Sequence, residues 1–505
     1  MNKSLITISV FAFSLLLFTS CGDDSMFSKK VTTKNGITTV SGIKPGTLET
    51  ALSLSMRTIT HLVIEDTIDS RDFQTMRDEM PKLAILDLSK ATIAAYSGIV
   101  GSGGDRVHHY DANKIPDFAF YDPEKATDNK TLTSIVLPNS IKSIGKYAFH
   151  RCTGLTGALV IPANVKDTIG MYAFSFCENL TSLTLSPAKY IGESAFQGCK
   201  NLGGTLAIPD SVIYIKPFAF AGCSKFDNVL IPSSVIYKDE NRDKNDNENL
   251  IPCIFNVFEG CGGVFSVDPL NTSFSSVDGV LCDFEQTKII KYPFTNKGSY
   301  TVPSTITTIG SFAFSNCTGL TEIIIPTGLS SLEDRAFNGC SGMSGEFLIN
   351  TGVSSIGEFV FEGCTNISGF TIAADNPIFS FTDGALIDIT WGTLKRYLWN
   401  NSGAYILPPN ITSIANGAFS DCNALTSITI HADVFGIGKG AFINCSKLSS
   451  MYLKSSLPID LAGSLTALEG INKLSCKLFV PIGTKSIYSK AIGWKDFVNI
   501  QEMEY

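Results

Sequence analysis

The chain has 505 residues, of which 44% are hydrophobic and only 17% charged, with a formal net charge of -8. So sparse and acidic a charge argues against nucleic acid and anionic membrane surfaces as partners, because both select basic patches. Length alone would suggest about three domains, a figure that the repeat described below replaces.

The first segment runs Lys3, an apolar stretch from Leu5 to Phe18, then Thr19-Ser20-Cys21-Gly22. The apolar stretch is too short to span a bilayer and has the charged, apolar and small-residue order of an export signal. Residues 1–20 therefore read as a lipoprotein signal peptide, with Cys21 expected to carry the lipid that ties the mature chain to a membrane. Phe18 stands where Leu is commoner, and an ordinary signal peptide with an incidental Cys is the alternative. Asp23-Asp24 resembles the acidic tag that sends some Gram-negative lipoproteins to the outer face, and residues 21–30 read as a tether.

Residues 31–126 read as an N-terminal cap that already begins a repeat. Ile59 to Ile64 is expected to be a strand. Arg71 to Met80 is expected to be a helix with Phe73, Met76 and Met80 on one face, stopped by Pro81. Leu83-Ala84-Ile85-Leu86-Asp87-Leu88 gives a further strand. The loop Gly101 to Asp111 contains Asp105, His108, His109 and Asp111, but it lacks a third fixed ligand, so no metal is assigned to it.

From residue 120 a phenylalanine returns at Phe120, Phe149, Phe174, Phe196, Phe220, Phe258, Phe314, Phe337, Phe361, Phe419 and Phe442. Ala precedes nine of these eleven rings, Val257 or Val360 the other two, and ten have Cys three residues later. Five positions upstream lies an aliphatic residue in ten cases (Cys253 is the exception), followed in six by Gly, as a bend with little room for a Cβ requires. Further upstream, alternating stretches such as Leu132-Thr133-Ser134-Ile135-Val136-Leu137-Pro138 read as short strands closed by Pro. One unit is thus strand, turn, second extended piece, Gly bend, and a helical turn carrying Ala-Phe-x-x-Cys. Such a unit buries its apolar side only against its neighbours, so the rings should pile into an internal ladder.

The repeated cysteines occupy one site per coil and all point one way, so they read as small buried hydrophobes rather than disulfides. Cys253, Cys282 and Cys476 lie outside that row, and their state stays open. Lys238 to Asn249 reads as a solvated insertion: Asp243, Asn245 and Asn247 mimic the start of a calcium loop, but Glu248 and Ile254 stand where Gly and Glu are needed. Two wider units, near 262–302 and 366–407, are copies of one another. Asp278-Gly279-Val280-Leu281 returns as Asp383-Gly384-Ala385-Leu386, 105 residues on. They read as wide coils or inserted hairpins. Residues 454–505 read as a C-terminal cap, with a strand at Leu478 to Pro481, a helix from a Thr484 cap to about Ile492, and Trp494 and Phe497 closing the last coil.

The pattern Leu-x-x-Ile-x-Leu-Pro-x-x-Ile-x-x-Ile-Gly-x-x-Ala-Phe-x-x-Cys, as in Leu132 to Cys152, resembles the leucine-rich repeats of BspA-type bacterial surface proteins over about residues 60 to 505. The expected fold is therefore a leucine-rich-repeat solenoid of the α/β repeat class, with short strands and one helical turn per coil, capped at both ends, and with residues 127–453 as its body. The resemblance implies an adhesin for host extracellular-matrix proteins or other cells, lipid-anchored in the outer membrane and facing the exterior.

The residues themselves point to binding rather than catalysis. None of the five His lies in a nucleophile or metal motif, and the acidic residues are scattered. No cofactor is expected. The residue between the last two core positions of each strand should face outward, giving an uncharged row with Val136, Val160, Thr184, Leu230, Ile324 and Leu348 as the candidate contacts for a protein ligand. Strand propensity alone also favours β-branched residues there. An alternative of another class is a scaffold or accessory subunit of an outer-membrane assembly, with a bacterial envelope protein as partner.

Overall fold

The computed structural model describes residues 29–99, 107–236 and 256–504. The export segment with Cys21, the insertion at 238–249, Cys253 and Asp105 lie outside them. Each regular coil contributes one long strand, one two-residue strand and a run of turns. In one such coil these are Leu180–Thr184, Tyr190–Ile191 and the stretch through Cys199. Neighbouring coils pair in parallel at the short strands and, within small sheets, at the long ones. The short ones form a continuous ladder through Lys114–Ile115, Ser143–Ile144, Thr168–Ile169, Tyr190–Ile191 and Tyr214–Ile215. The long ones break into small sheets, and at five breaks the strand that starts the new sheet carries a left-handed Gly. At Gly157, Gly204, Gly298, Gly345 and Gly403 (φ +75 to +87) the register slips by one residue.

The Phe rhythm becomes a stack. Rings 120, 149, 174, 196, 220 and 258 follow one another at centroid distances of 5.0 to 5.9 Å with planes within 14°, and all are buried. The spacing is one strand separation, so the backbone ladder sets the ring separation. The Gly bend is also as expected: a Cβ on Gly170 would come within 2.6 Å of the Gly145 carbonyl carbon, and one on Gly192 equally close to Gly170.

The helical turn is not formed. Ala-Phe-x-x-Cys lies in consecutive turns, and among the described residues helix is confined to Leu48–Leu52, Ser53–Thr58, Ser70–Asp78 and Lys485–Tyr488. Two local facts explain this. The residue two before the ring is left-handed, as at Tyr147 (φ +55), Tyr172 (φ +54) and Phe312 (φ +57). The ring residue's own N–H also leaves the coil: Phe149 donates to the Ala173 carbonyl at 2.7 Å, and Phe174 to Ala195 at 2.7 Å. Hydrogen bonds between coils replace those a helix would make within one.

Near the N-terminus a hairpin of Lys30–Lys34 and Ile37–Ser41 pairs onto His61–Ile64, Ile85–Asp87 and Ser134–Val136. The helix expected at 71–80 spans Ser70–Asp78, with Phe73, Met76 and nearby Met80 buried. Asp69 and Asp72 form a capping box at its start. At the other end Lys477–Pro481 pairs with Asn499–Met503, and Trp494 is fully buried, its Nε1 donating to the Ile459 carbonyl at 2.8 Å. The expected helix to Ile492 is only Lys485–Tyr488, and the Thr484 hydroxyl donates back to the Pro481 carbonyl instead of capping it.

Both wide units contain an antiparallel hairpin. Phe274–Val277, Val280–Asp283 and Lys288–Lys291 form the first; Phe379–Thr382, Ala385–Asp388 and Thr393–Tyr397 form the second. The third strand of each rejoins the short-strand ladder, beside Thr308–Ile309 and Ser413–Ile414. Tyr292 and Tyr397 take the ring position and pack on Phe314 and Phe419 at 4.8 and 5.2 Å, the first pair stacked and the second tilted. The solenoid therefore stays in phase across each insertion.

Candidate binding face

Side chains alternate along a strand, so each long strand sends one residue into the core and the next outward. Leu159 and Val229 are buried, while Val160 is 59% and Leu230 41% exposed. The register assembles the outward residues into one row per sheet. Val160 stands beside Thr184, Leu230 between Ala207 and Ser266, Ile324 beside Thr301, and Leu348 beside Thr371. Val136, Ile324 and Leu348 are also about half exposed, at 46, 50 and 47%, and Thr184 is exposed. All six candidate contacts therefore point outward at equivalent positions of their coils; Val136 and Val160 stand on successive coils, as do Ile324 and Leu348, and small or hydroxyl residues (Thr184, Ala207, Ser266, Thr301, Thr371) fill other places of the row.

The row differs from the sequence reading at its ends. Val136 is paired with Asp87, so the first coil brings a carboxylate into an otherwise uncharged line. Beyond Ile406, which is 69% exposed, the row continues through Thr429 and Tyr452 to Phe479. The Tyr452 and Phe479 rings stack at 4.6 Å and 4°. Phe479 escaped the sequence reading because the repeat frame stops before it; the alternation of Leu478-Phe479-Val480 was the available signal. A second row, Ser134, Ala158 with Ser182, Thr205 with Asn228, Glu322, Glu346 and Ser427 with Ser450, flanks the first and is more polar.

Other parts of the surface offer less. Phe118, Tyr147 and Tyr172 stack face to face at 5.2 and 4.8 Å, which covers both faces of the middle ring, Tyr147. His150 is enclosed there by Tyr121 at 4.5 Å and Tyr147 at 5.3 Å, and burial pushes it down to about 4. A cavity of about 260 Å³ lies beside the helix Ser70–Asp78 over Met76, Met80 and Phe120, but Arg77 pairs with Asp78 and Lys125 with Asp122 at its rim. His108 and His109 are consecutive on the strand His108–Tyr110, so their side chains leave opposite faces.

The cysteines do more than fill space. Within the Phe stack, the Cys177 Sγ lies 3.1 Å from the Phe149 carbonyl, Cys199 3.2 Å from Phe174, Cys340 3.0 Å from Phe314 and Cys445 3.0 Å from Phe419, each thiol donating to the preceding coil. Burial pushes the Cys199 thiol up to about 12, which keeps it protonated and unreactive. Cys282 and Cys476 are likewise buried thiols.

The BspA type leucine-rich repeat model matches in six copies, over residues 113–241, 287–390 and 393–487. The chain belongs to that family. Among solved structures it is similar to a leucine-rich repeat protein from Eubacterium ventriosum (22% identity over 66% of this chain and 83% of that one, TM-score 0.38). It is also similar to a leucine-rich cell surface protein from Faecalibacterium prausnitzii (21%, 69% and 88%, TM-score 0.36) and to the pneumococcal vaccine antigen PcpA (16%, 94% and 97%, TM-score 0.37). No curated protein matches. The family points to a protein-binding role and to a bacterial surface protein. Among the described residues no helix is long and apolar enough to cross a membrane.

Proposed function

We propose that this protein is a non-catalytic, lipid-anchored binding protein of the cell surface that attaches to host extracellular-matrix proteins or to other cells through the outward row of its long strands. The observation that carries this reading is the row itself: Val136, Val160, Leu230, Ile324 and Leu348 stand 41 to 59% exposed at equivalent outward positions of their coils, where a passive surface has no need of large apolar groups. Residues 31–126 and 454–505 serve as caps for the body at 127–453, and Cys21 carries the lipid. The site does not depend on a cofactor or metal.

The location is tested by treating intact, unpermeabilised cells with protease and following this protein beside a periplasmic control. Loss with the control intact is the expected result. Protection would overturn surface display and turn the search to an envelope partner that co-purifies with the protein.

A further inference from the structure

The second hairpin coil buries a cation that lacks a counter-charge. Arg396 is 4% exposed. Its Nη1 donates to the Gly417 carbonyl at 2.9 Å and to the Ser420 hydroxyl at 2.6 Å. Nε and Nη2 have no hydrogen-bond partner. These two nitrogens share the edge of the guanidinium whose parallel N–H bonds grip an acceptor side-on. That residue lines a cavity of about 10 Å³ with Phe359, Phe361, Glu362, Lys395 and Gly417.

The charges around the cavity do not neutralise Arg396. Glu362 is already engaged by Arg335 at 3.3 Å and by the Asn338 amide at 2.7 Å. Lys395 sits in the field of Asp388, Glu358 and Asp334. No carboxylate lies within ion-pair distance of Arg396 among the described residues, and a buried charge without a counter-charge is costly. The side faces are apolar: Trp399 lies 5.6 Å from the guanidinium carbon. The first copy is built differently, with Lys291 at the matching position giving its ammonium to the Phe312 carbonyl at 3.0 Å and feeling the half-buried Glu259.

We propose that the cavity beside Arg396 binds a single halide ion, held by the Nε–H and Nη2–H of the guanidinium. A cavity of this size takes one water-sized particle. So small a space beside the guanidinium suits a monatomic anion better than a carboxylate or phosphate, and a halide supplies both the two acceptor contacts and the missing negative charge. Water would supply only the contacts.

The test is diffraction from crystals of the whole protein soaked in sodium bromide, with data collected at the bromine edge. An anomalous peak against Nε and Nη2 of Arg396, and none at Lys291, is expected. In parallel, the Tm is followed while sodium chloride replaces sodium gluconate at constant ionic strength. It should rise by about 1–3 °C and then saturate. Arg396→Gln should abolish that dependence. Lys395→Gln, which leaves the guanidinium in place, should keep it and shift its midpoint several-fold to higher chloride. Density without anomalous signal at the site, together with a wild-type Tm indifferent to the anion, would mean a water and would overturn the proposal.

Discussion

The two hairpin coils are copies in which the framework has been kept while several buried side chains have been exchanged, Cys282 for Ile387 and Ile290 for Lys395 among them. Asn271 donates to the Pro232 and Val235 carbonyls and accepts from the amides of Ser273 and Phe274. Asn376, 105 residues on, makes the same four bonds, to Asn350 and Val353 and from Ile378 and Phe379. Asp278 and Asp383 both take a left-handed turn at φ +49 and +50. Tyr292 leans on Tyr300 as Tyr397 leans on Tyr405, at 4.7 and 4.3 Å. Among the exchanged groups the one that alters the buried polar chemistry most is the cation, Lys291 in one copy and Arg396 in the other. What a wide coil needs in order to rejoin the ladder is therefore the Asn anchor and the ring; what the space behind the third strand holds can vary.

Changes to the shared ring position should have the largest effect. Phe337 is fully buried between Phe314 and Phe361, at 5.2 and 6.0 Å. Phe337→Ala should cost about 3–5 kcal/mol in denaturant unfolding, whereas Tyr397→Phe, which keeps the ring in the hairpin coil, should cost less than about 1.5 kcal/mol. Next come the anchors: Asn271→Ala and Asn376→Ala should each cost about 2–4 kcal/mol, since each leaves two carbonyls and two amides without their partner. Near-equal losses would support equivalence of the two copies, and a loss at one alone would break it.

A regular coil supplies the pH contrast. The pKa of His150 is about 4 in the fold against 6.5 in a free chain, so the unfolded chain binds the extra proton first. The neutral ring is compatible with the fold above pH 6.5, and stability should fall as pH drops from there towards 4. After screening at its open edge the loss should be of order 1–2 kcal/mol, and His150→Gln should flatten the curve over that window. Smallest is Lys291→Met, expected to shift stability by less than about 1 kcal/mol in either direction, because an apolar group of similar length removes a desolvated charge along with its single hydrogen bond.

The sequence made the ladder legible because its signal recurs at fixed intervals. The Phe positions, the Gly after six of the aliphatics and the alternation of the strands all translated into observed geometry. The helical turn was misread because the three-residue spacing from Phe to Cys imitates a helix face, while left-handed Tyr147, Tyr172 and Phe312 break it, and no composition rule marks them. The thiol-to-carbonyl bonds were hidden because they join residues more than 20 positions apart. Asn271 and Asn376 occur once per copy of a unit present only twice, and Arg396 in one copy alone, so periodicity gave them no weight. The outward row was readable from strand alternation, but Asp87 at one end and Phe479 at the other depended on register.

The account rests on that row being the face that binds. The direct measurement is binding of the purified full chain to a panel of immobilised extracellular-matrix proteins, wild type against a Val160→Glu, Leu230→Glu double variant. Both residues are exposed, so each substitution should change stability by no more than about 0.5 kcal/mol. The account predicts saturable wild-type binding that falls at least about tenfold in the variant, as expected when two desolvated contacts become charges. Equal binding by both proteins, or none by the wild type to any member of the panel, would contradict it.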